Sequence, residues 1–333
     1  MIFREKDWAW VLLLIPVVAL GSGQQDTVLR DWLNRVARSN QSNSYEGTFV
    51  YRCVADVVTM KIVHAATDAG ERERLVSLSG PTQHIVHDGE VITSVFPKKT
   101  TRFLGPGGGA LSIGGTPSVT DESLERNYQL KNVGADRIAG RPTQVVEIKP
   151  KDKYRYGFKL WLDDETFLAL RSDMVDETGR IIEQILFTDI QMLGTQDALA
   201  KVDAAEWGVA PTDAAQVDQH MTPERQLVTD GASPWDVTQL PEGFALTEHV
   251  YALDHQARTP EGEHLLFSDG LASVSIFIEK FADNETPFKG VSRMGAVNAF
   301  GTVVNGHQVT VVGDVPEATV RMMGQSVTFR AAQ

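Results

Sequence analysis

Residues able to do chemistry are few in this chain and poorly grouped. It carries eight histidines and one cysteine in 333 residues. His84 and His87 lie three apart in Gln83-His-Ile-Val-His87, a run that reads as a strand, so they point to opposite faces and cannot share a metal. The other histidines stand singly, which suits satisfied or solvated rings better than ligands. Asp163-Asp-Glu165 falls between two strand-like runs. It could hold a cation, but a solvated acidic turn explains it better. Gly105-Pro-Gly-Gly-Gly109 lacks the lysine and Ser/Thr of a phosphate loop and opens no helix after a strand, so it reads as a loop. G-x-S-x-G, H-E-x-x-H and C-x-x-C are all absent. These absences lower the expectation of an enzyme without excluding one, and no metal site is expected. An exported hydrolase whose triad assembles from distant residues stays as a competing class.

The elements that must position any site are strands. Tyr45–Tyr51, Thr59–His64, Glu71–Leu78, Gln83–His87 and Glu90–Phe96 follow one another, with turn-formers at Asp68-Ala-Gly70 and Asp88-Gly89. Asp-Gly between apolar runs is a strong hairpin signal, because a type I′ turn needs positive φ at both central residues. This predicts an antiparallel meander, without the βαβ rhythm of nucleotide enzymes. Ahead of it, Asp26 can cap a helix in which Leu29, Trp32, Leu33 and Val36 share one face, to be laid on the sheet. A short helix is expected near Thr120–Arg126. In Tyr154–Leu162, Tyr154, Tyr156, Phe158, Leu160 and Leu162 alternate with Arg155, Lys159 and Trp161. Phe167–Val175 and Arg180–Ile190 continue the block across Glu177-Thr-Gly179. Eight to ten such strands must close, curl or be covered, so a curled sheet with helices in its concavity is predicted.

From about 194 the pattern gives way to Ala, Asp and Gln, with prolines at 211, 223 and 234. This reads as a linker that carries a short helix over a domain surface. A smaller α+β domain is expected from Trp235. Its strands are His264–Phe267, Ser273–Glu279, Phe300–Val304 and Gln308–Val312, with turns at Asp269-Gly270 and Asn305-Gly306 and a helix starting near Pro316-Glu317. The resulting division is 1–23 signal peptide, 24–195 β domain, 196–234 linker and 235–330 second domain.

The apolar run Trp8–Leu20, followed by Gly21-Ser-Gly23, suits a signal-peptide core better than a membrane span, and Ala19-Leu-Gly21 offers a cleavage signal. An uncleaved anchor is the alternative, since Glu5 and Asp7 offset Arg4 and Lys6. Either way the remainder is exported. The formal net charge of −13 argues against nucleic acid or an anionic membrane as general partners. Cys53 has no internal disulfide partner and reads as a small buried hydrophobe.

Tyr45-Glu-Gly-Thr-Phe-Val-Tyr51, Gly70-Glu-Arg-Glu-Arg-Leu-Val-Ser-Leu78, and Gly295-Ala-Val-Asn-Ala-Phe-Gly301 with Val309-Thr-Val-Val-Gly-Asp-Val-Pro316 resemble, in that order, the RseB/MucB family of periplasmic envelope-stress regulators. Leu160-Trp-Leu-Asp-Asp-Glu-Thr-Phe-Leu-Ala-Leu170 resembles the sheet of the LolA/LolB lipoprotein carriers. The Val54–Val57 connection departs from expectation in being unusually apolar. The resemblance implies a LolA/LolB-like open β-barrel with a helical plug. It implies no catalytic residues and no cofactor, residence in the periplasm, and a partner in the periplasmic domain of a membrane anti-sigma factor (RseA/MucA-like). Protection of that partner from regulated proteolysis is implied too, as is its release when lipid or lipopolysaccharide acyl chains bind. On that reading Phe158, Leu160, Leu162, Leu168, Leu170, Ile185 and Phe187 are candidates for the acyl-chain cavity, each equally explicable as packed core. Asn298 and Phe300, on one face of a strand, are candidates for partner contact. A lipid or lipoprotein carrier is the alternative function, and the second domain after Trp235, absent from those carriers, counts against it. A homodimer is left open.

Overall fold

The computed structural model describes residues 35–36, 38–39, 41–53, 56–80, 84–88, 91–96, 99–104, 126–204, 225–227, 233–253, 260–280 and 286–330. The export segment, the residues from Asp26 to Leu33, the glycine-rich loop and the Thr120–Arg126 helix, except its last residue, lie outside these. Strands β1 (Ser44–Cys53), β2 (Asp56–Thr67), β3 (Gly70–Ser77), β4 (His84–Asp88), β5 (Val91–Phe96), β6 (Lys99–Leu104), β7 (Tyr128–Ile138), β8 (Arg141–Pro150), β9 (Gly157–Asp163), β10 (Ala169–Val175) and β11 (Ile181–Leu193) form one antiparallel sheet. Its order is β6-β5-β4-β3-β2-β1-β11-β10-β9-β8-β7. The meander is as predicted, but β1 pairs with both β2 and β11, so this sheet's first and last strands in chain order meet mid-sheet. The sheet stays open at β6 and β7 yet curls enough for β7 to touch β11, four places away. It is a curled sheet and not a closed barrel.

Two helical pieces cover opposite faces. Residues 35, 36, 38, 39, 41 and 42 are helical, and Val36 is buried among Tyr128, Val146, Ile148, Leu160 and Leu162. This is the plug position expected from the Leu29–Val36 stripe. Helix α1 (Thr195–Asp203), inside the predicted linker, lies on the other face. It buries Ala198 and Val202 against Val63 and Ala65 of β2, with Lys201 Nζ 3.0 Å from Glu46 Oε1.

The second sheet runs β12 (Arg225–Leu227), β14 (Ala245–Leu253), β15 (Pro260–Ser268), β16 (Ser273–Lys280), β19 (His307–Gly313), β18 (Val297–Val304), β17 (Gly290–Met294). Strand β13 (Trp235–Val237) pairs with β20 (Val327–Phe329). At the β18–β19 turn Asn305 and Gly306 have φ of 47° and 73°, the left-handed pair that a type I′ turn demands. Helix α2 (Glu317–Gln325) starts after Pro316 and sets Val320 and Met323 into a core with Phe267, Ile276 and Val311.

Two sequence readings are corrected and one hairpin is added. Tyr154–Leu162 is not one strand: β9 begins at Gly157, and Arg155 turns into the interior. The hairpin β7–β8 went unread, because its turn is Ala139-Gly140, with alanine at φ 47° where Asn or Asp would have signalled it. Asp163 is not part of a solvated turn. It is 1% exposed and accepts from Arg141 Nε at 2.6 Å and Nη2 at 3.0 Å, and from the Thr166 amide at 2.9 Å. Its pKa reflects this: burial pushes it up, but the guanidinium and Thr166 bonds win and hold it below the usual range.

Candidate functional site

The seven acyl-chain candidates fall into two clusters. Leu168, Leu170 and Phe187 are buried with Tyr45, Phe49, Ile62, Leu75 and Ile85, and Ile185 packs partly buried against them. Leu160 and Leu162 belong to the cluster under Val36, with Phe158 partly buried at its margin. Five of the seven are sealed in packed core, leaving Phe158 and Ile185 partly open.

Asn298 and Phe300 share a face of β18 as expected, and both are buried. Asn298 Nδ2 donates to Tyr156 Oη at 3.0 Å and to the Val315 carbonyl at 2.7 Å. Phe300 packs against α2, where its Cδ1 lies 2.4 Å from the position a Cβ on Gly324 would take, so only glycine fits there. In this arrangement Asn298 fastens one domain to the other.

That fastening is part of a built junction. Arg155, between β8 and β9, puts Nη1 2.8 Å from Asp269 Oδ2 in the β15–β16 turn, both side chains fully buried. Tyr128 Oη donates to the same oxygen at 2.9 Å, while Asp269 Oδ1 accepts the amides of Leu271 and Ala272. Arg155 also donates to the Glu242 carbonyl and lies against the rings of Tyr128 and Phe244. Both terminal nitrogens of Arg155 and both oxygens of Asp269 are engaged, which is what lets a buried pair be tolerated, while Arg155 Nε is buried with no partner among the described residues. Beside it Tyr156, Met174, Ile182 and Ala296 form an apolar cluster spanning both domains. Cys53, half-buried, is pressed against Gly295: a Cβ there would lie 2.3 Å from its Sγ.

The far side of the junction is different in kind. Burial first, then the nearby Asp314, pushes the Glu183 carboxyl up to about 7, against a hydrogen bond from Tyr51 Oη at 3.2 Å that lowers it. Burial raises Asp314 as well. The two domains thus meet through one neutralised ion pair and one pair of carboxyls short of compensation. A cleft of about 340 Å³ opens between Lys153, Tyr154, Gln239, Arg321, Met322 and Gln325 at the same junction.

A polar row crosses the apolar face of the first sheet. Tyr45 stacks on His64 at 5.0 Å, His64 Nδ1 lies 2.7 Å from Glu73 Oε1, and His87 Nδ1 lies 3.8 Å from Glu73 Oε2. Burial would raise Glu73, but hydrogen bonds and charge from the two histidines hold it at about 2. His84, on the opposite face, does not join them. Among the described residues no helix is long and apolar enough to cross a membrane.

Comparison with known proteins matches the MucB/RseB N-terminal domain over residues 29–217 and the MucB/RseB C-terminal domain over 229–328. The chain belongs to the MucB/RseB family. The sigma factor AlgU regulatory protein MucB of Pseudomonas aeruginosa is 31% identical, over 97% of this chain and 98% of that one. The sigma-E factor regulatory protein RseB of Haemophilus influenzae is 25% identical, over 90% of each. A crystal structure of MucB in complex with MucA(peri) aligns with a TM-score of 0.62 at 31% identity, over 91% of this chain and 100% of that chain. A crystal structure of MucB aligns with a TM-score of 0.59 at 29% identity, over 91% of this chain and 98% of that chain. The MucB/RseB relatives are named as regulators and not as enzymes, in keeping with the scarcity of catalytic motifs.

Proposed function

We propose that this protein is a periplasmic regulator that binds the periplasmic region of a transmembrane anti-sigma factor, shields it from regulated proteolysis, and lets go when lipid or lipopolysaccharide acyl chains bind. The observation that carries the reading is similarity over 91% of this chain, at 31% identity, to a MucB crystallised with MucA(peri). The junction supplies the physics. A ligand can release a partner only if it binds one arrangement of the protein better than the other. Two domains fastened by Arg155–Asp269 and Asn298–Tyr156, and loosened by Glu183 beside Asp314, can have two arrangements close in free energy. Acyl chains would enter at Phe158 and Ile185, the candidates not sealed in core, and wedge the sheet beside Tyr156. Isothermal titration of the purified chain with the periplasmic segment of an anti-sigma factor tests this. Saturable 1:1 heat that an excess of lipopolysaccharide abolishes is expected, and no heat, or heat indifferent to lipid, contradicts the reading.

A further inference from the structure

The polar row on the first sheet has a feature that regulation by peptide and lipid does not use. His64, Glu71 and Glu73 each offer a donor atom, and these atoms lie within 4.8 Å of one another. The His64 side chain is 0% exposed and that of Glu73 6%, while Glu71 is only half-buried and opens the cluster to solvent. Glu71 and Glu73 are two apart on β3 and so project from the same face, and His64 stands directly opposite Glu73 on β2. We propose that His64, Glu71 and Glu73 form a binding site for a divalent transition-metal ion, with zinc the best match.

The donor set selects the ion. One imidazole nitrogen with two carboxylates suits zinc and its first-row neighbours, whereas calcium and magnesium require oxygen ligands throughout. Bonds of about 2.0–2.2 Å in a tetrahedral site place donors about 3.3 Å apart. The His64–Glu73 spacing of 2.7 Å lies just below that value, and the other donor spacings are no more than 4.8 Å. His64 Nδ1 and Glu73 Oε1, at 2.7 Å, would part slightly as the proton between them leaves, and Glu71 would close in from the solvent side. A dication also neutralises two carboxylates held at the edge of an apolar cluster. His87, on the far side of Glu73, flanks the site as a further nitrogen donor. Three protein ligands leave a coordination position open. An ion here would staple β2 to β3 in the middle of the meander.

The test is a zinc titration of the tag-free, full-length mature protein, followed by equilibrium dialysis with elemental analysis. One zinc per chain is expected. Glu71→Gln, at a half-exposed position where folding is not at stake, should weaken binding by about 100-fold with unchanged near-UV circular dichroism. Cobalt should give the visible absorption of a four-coordinate site in the native chain and lose it in Glu71→Gln and Glu73→Gln. The proposal is overturned if the native chain takes up no zinc saturably below about 100 μM. Native affinity in both glutamine variants overturns it equally.

Discussion

Glu183 should make the stability of the domain junction fall as pH rises from about 4.5 towards neutrality. In the folded chain its carboxyl is pushed up to about 7, from 4.5, by burial and by Asp314. Below about pH 4.5 it is neutral in both the folded and the unfolded chain, and its stabilising difference is fully present. Between 4.5 and 7 the unfolded chain sheds the proton while the folded chain keeps it, so stability drains away through this window and levels off above 7. At about 1.4 kcal/mol per pH unit, the penalty reaches on the order of 3 kcal/mol in alkali. Glu183→Gln removes the charge and keeps a carbonyl oxygen to accept from Tyr51. Its advantage over the native chain should therefore grow by about 2 kcal/mol between pH 5 and pH 8 in urea denaturation. The melting midpoint should follow, at about 2–4 °C per kcal/mol for domains of this size. An advantage equal at both pH values would refute the reasoning, because Glu183 would then titrate as a solvated carboxyl.

Other perturbations test the remaining contacts. Asp269→Ala removes the buried counter-charge of Arg155, leaving it only Asp152 at 3.3 Å from Nη2, and orphans the Tyr128 hydroxyl, so urea denaturation should show a loss of about 3–5 kcal/mol, while Arg155→Met with Asp269→Leu should restore part of it. Gly295→Ala meets both a φ of 65° and the Cys53 sulfur. It should cost more than the roughly 1–2 kcal/mol of left-handed strain alone, and Cys53→Ala in the same chain should bring it back to that figure. Phe187→Ala opens the cluster it shares with Tyr45 and Phe49 and should cost about 3–5 kcal/mol by the same measurement.

Much of the scaffold was legible because it is locally encoded. Asn305-Gly306 and Asp269-Gly270 turned where expected, and Val36, the described member of the expected helical stripe, packs on the sheet. The break at Tyr154-Arg155 was not legible, because alternation through Leu162 is undisturbed in sequence and Arg155 is drawn inward by partners far along the chain, the Glu242 carbonyl and Asp269. Asn298 was singled out from a strand face, but its partners, Tyr156 and Val315, belong to other elements. The pairing of Glu183 with Asp314 likewise depends on how the domains meet. One signal was present and unread. With Thr67 opposite Gly70 across the Asp68-Ala69 turn, counting outward sets His64 opposite Glu73, so half of the polar row follows from the hairpin. Scanning histidines along one strand could not find a constellation built across several.

The most direct trial of the central claim is the cleavage rate of an anti-sigma periplasmic segment by the protease that initiates its regulated destruction, with and without this protein. The account predicts that a stoichiometric amount slows cleavage strongly and that added lipopolysaccharide restores the rate. A cleavage rate unchanged by the protein, or slowed in a way that no lipid reverses, would contradict it.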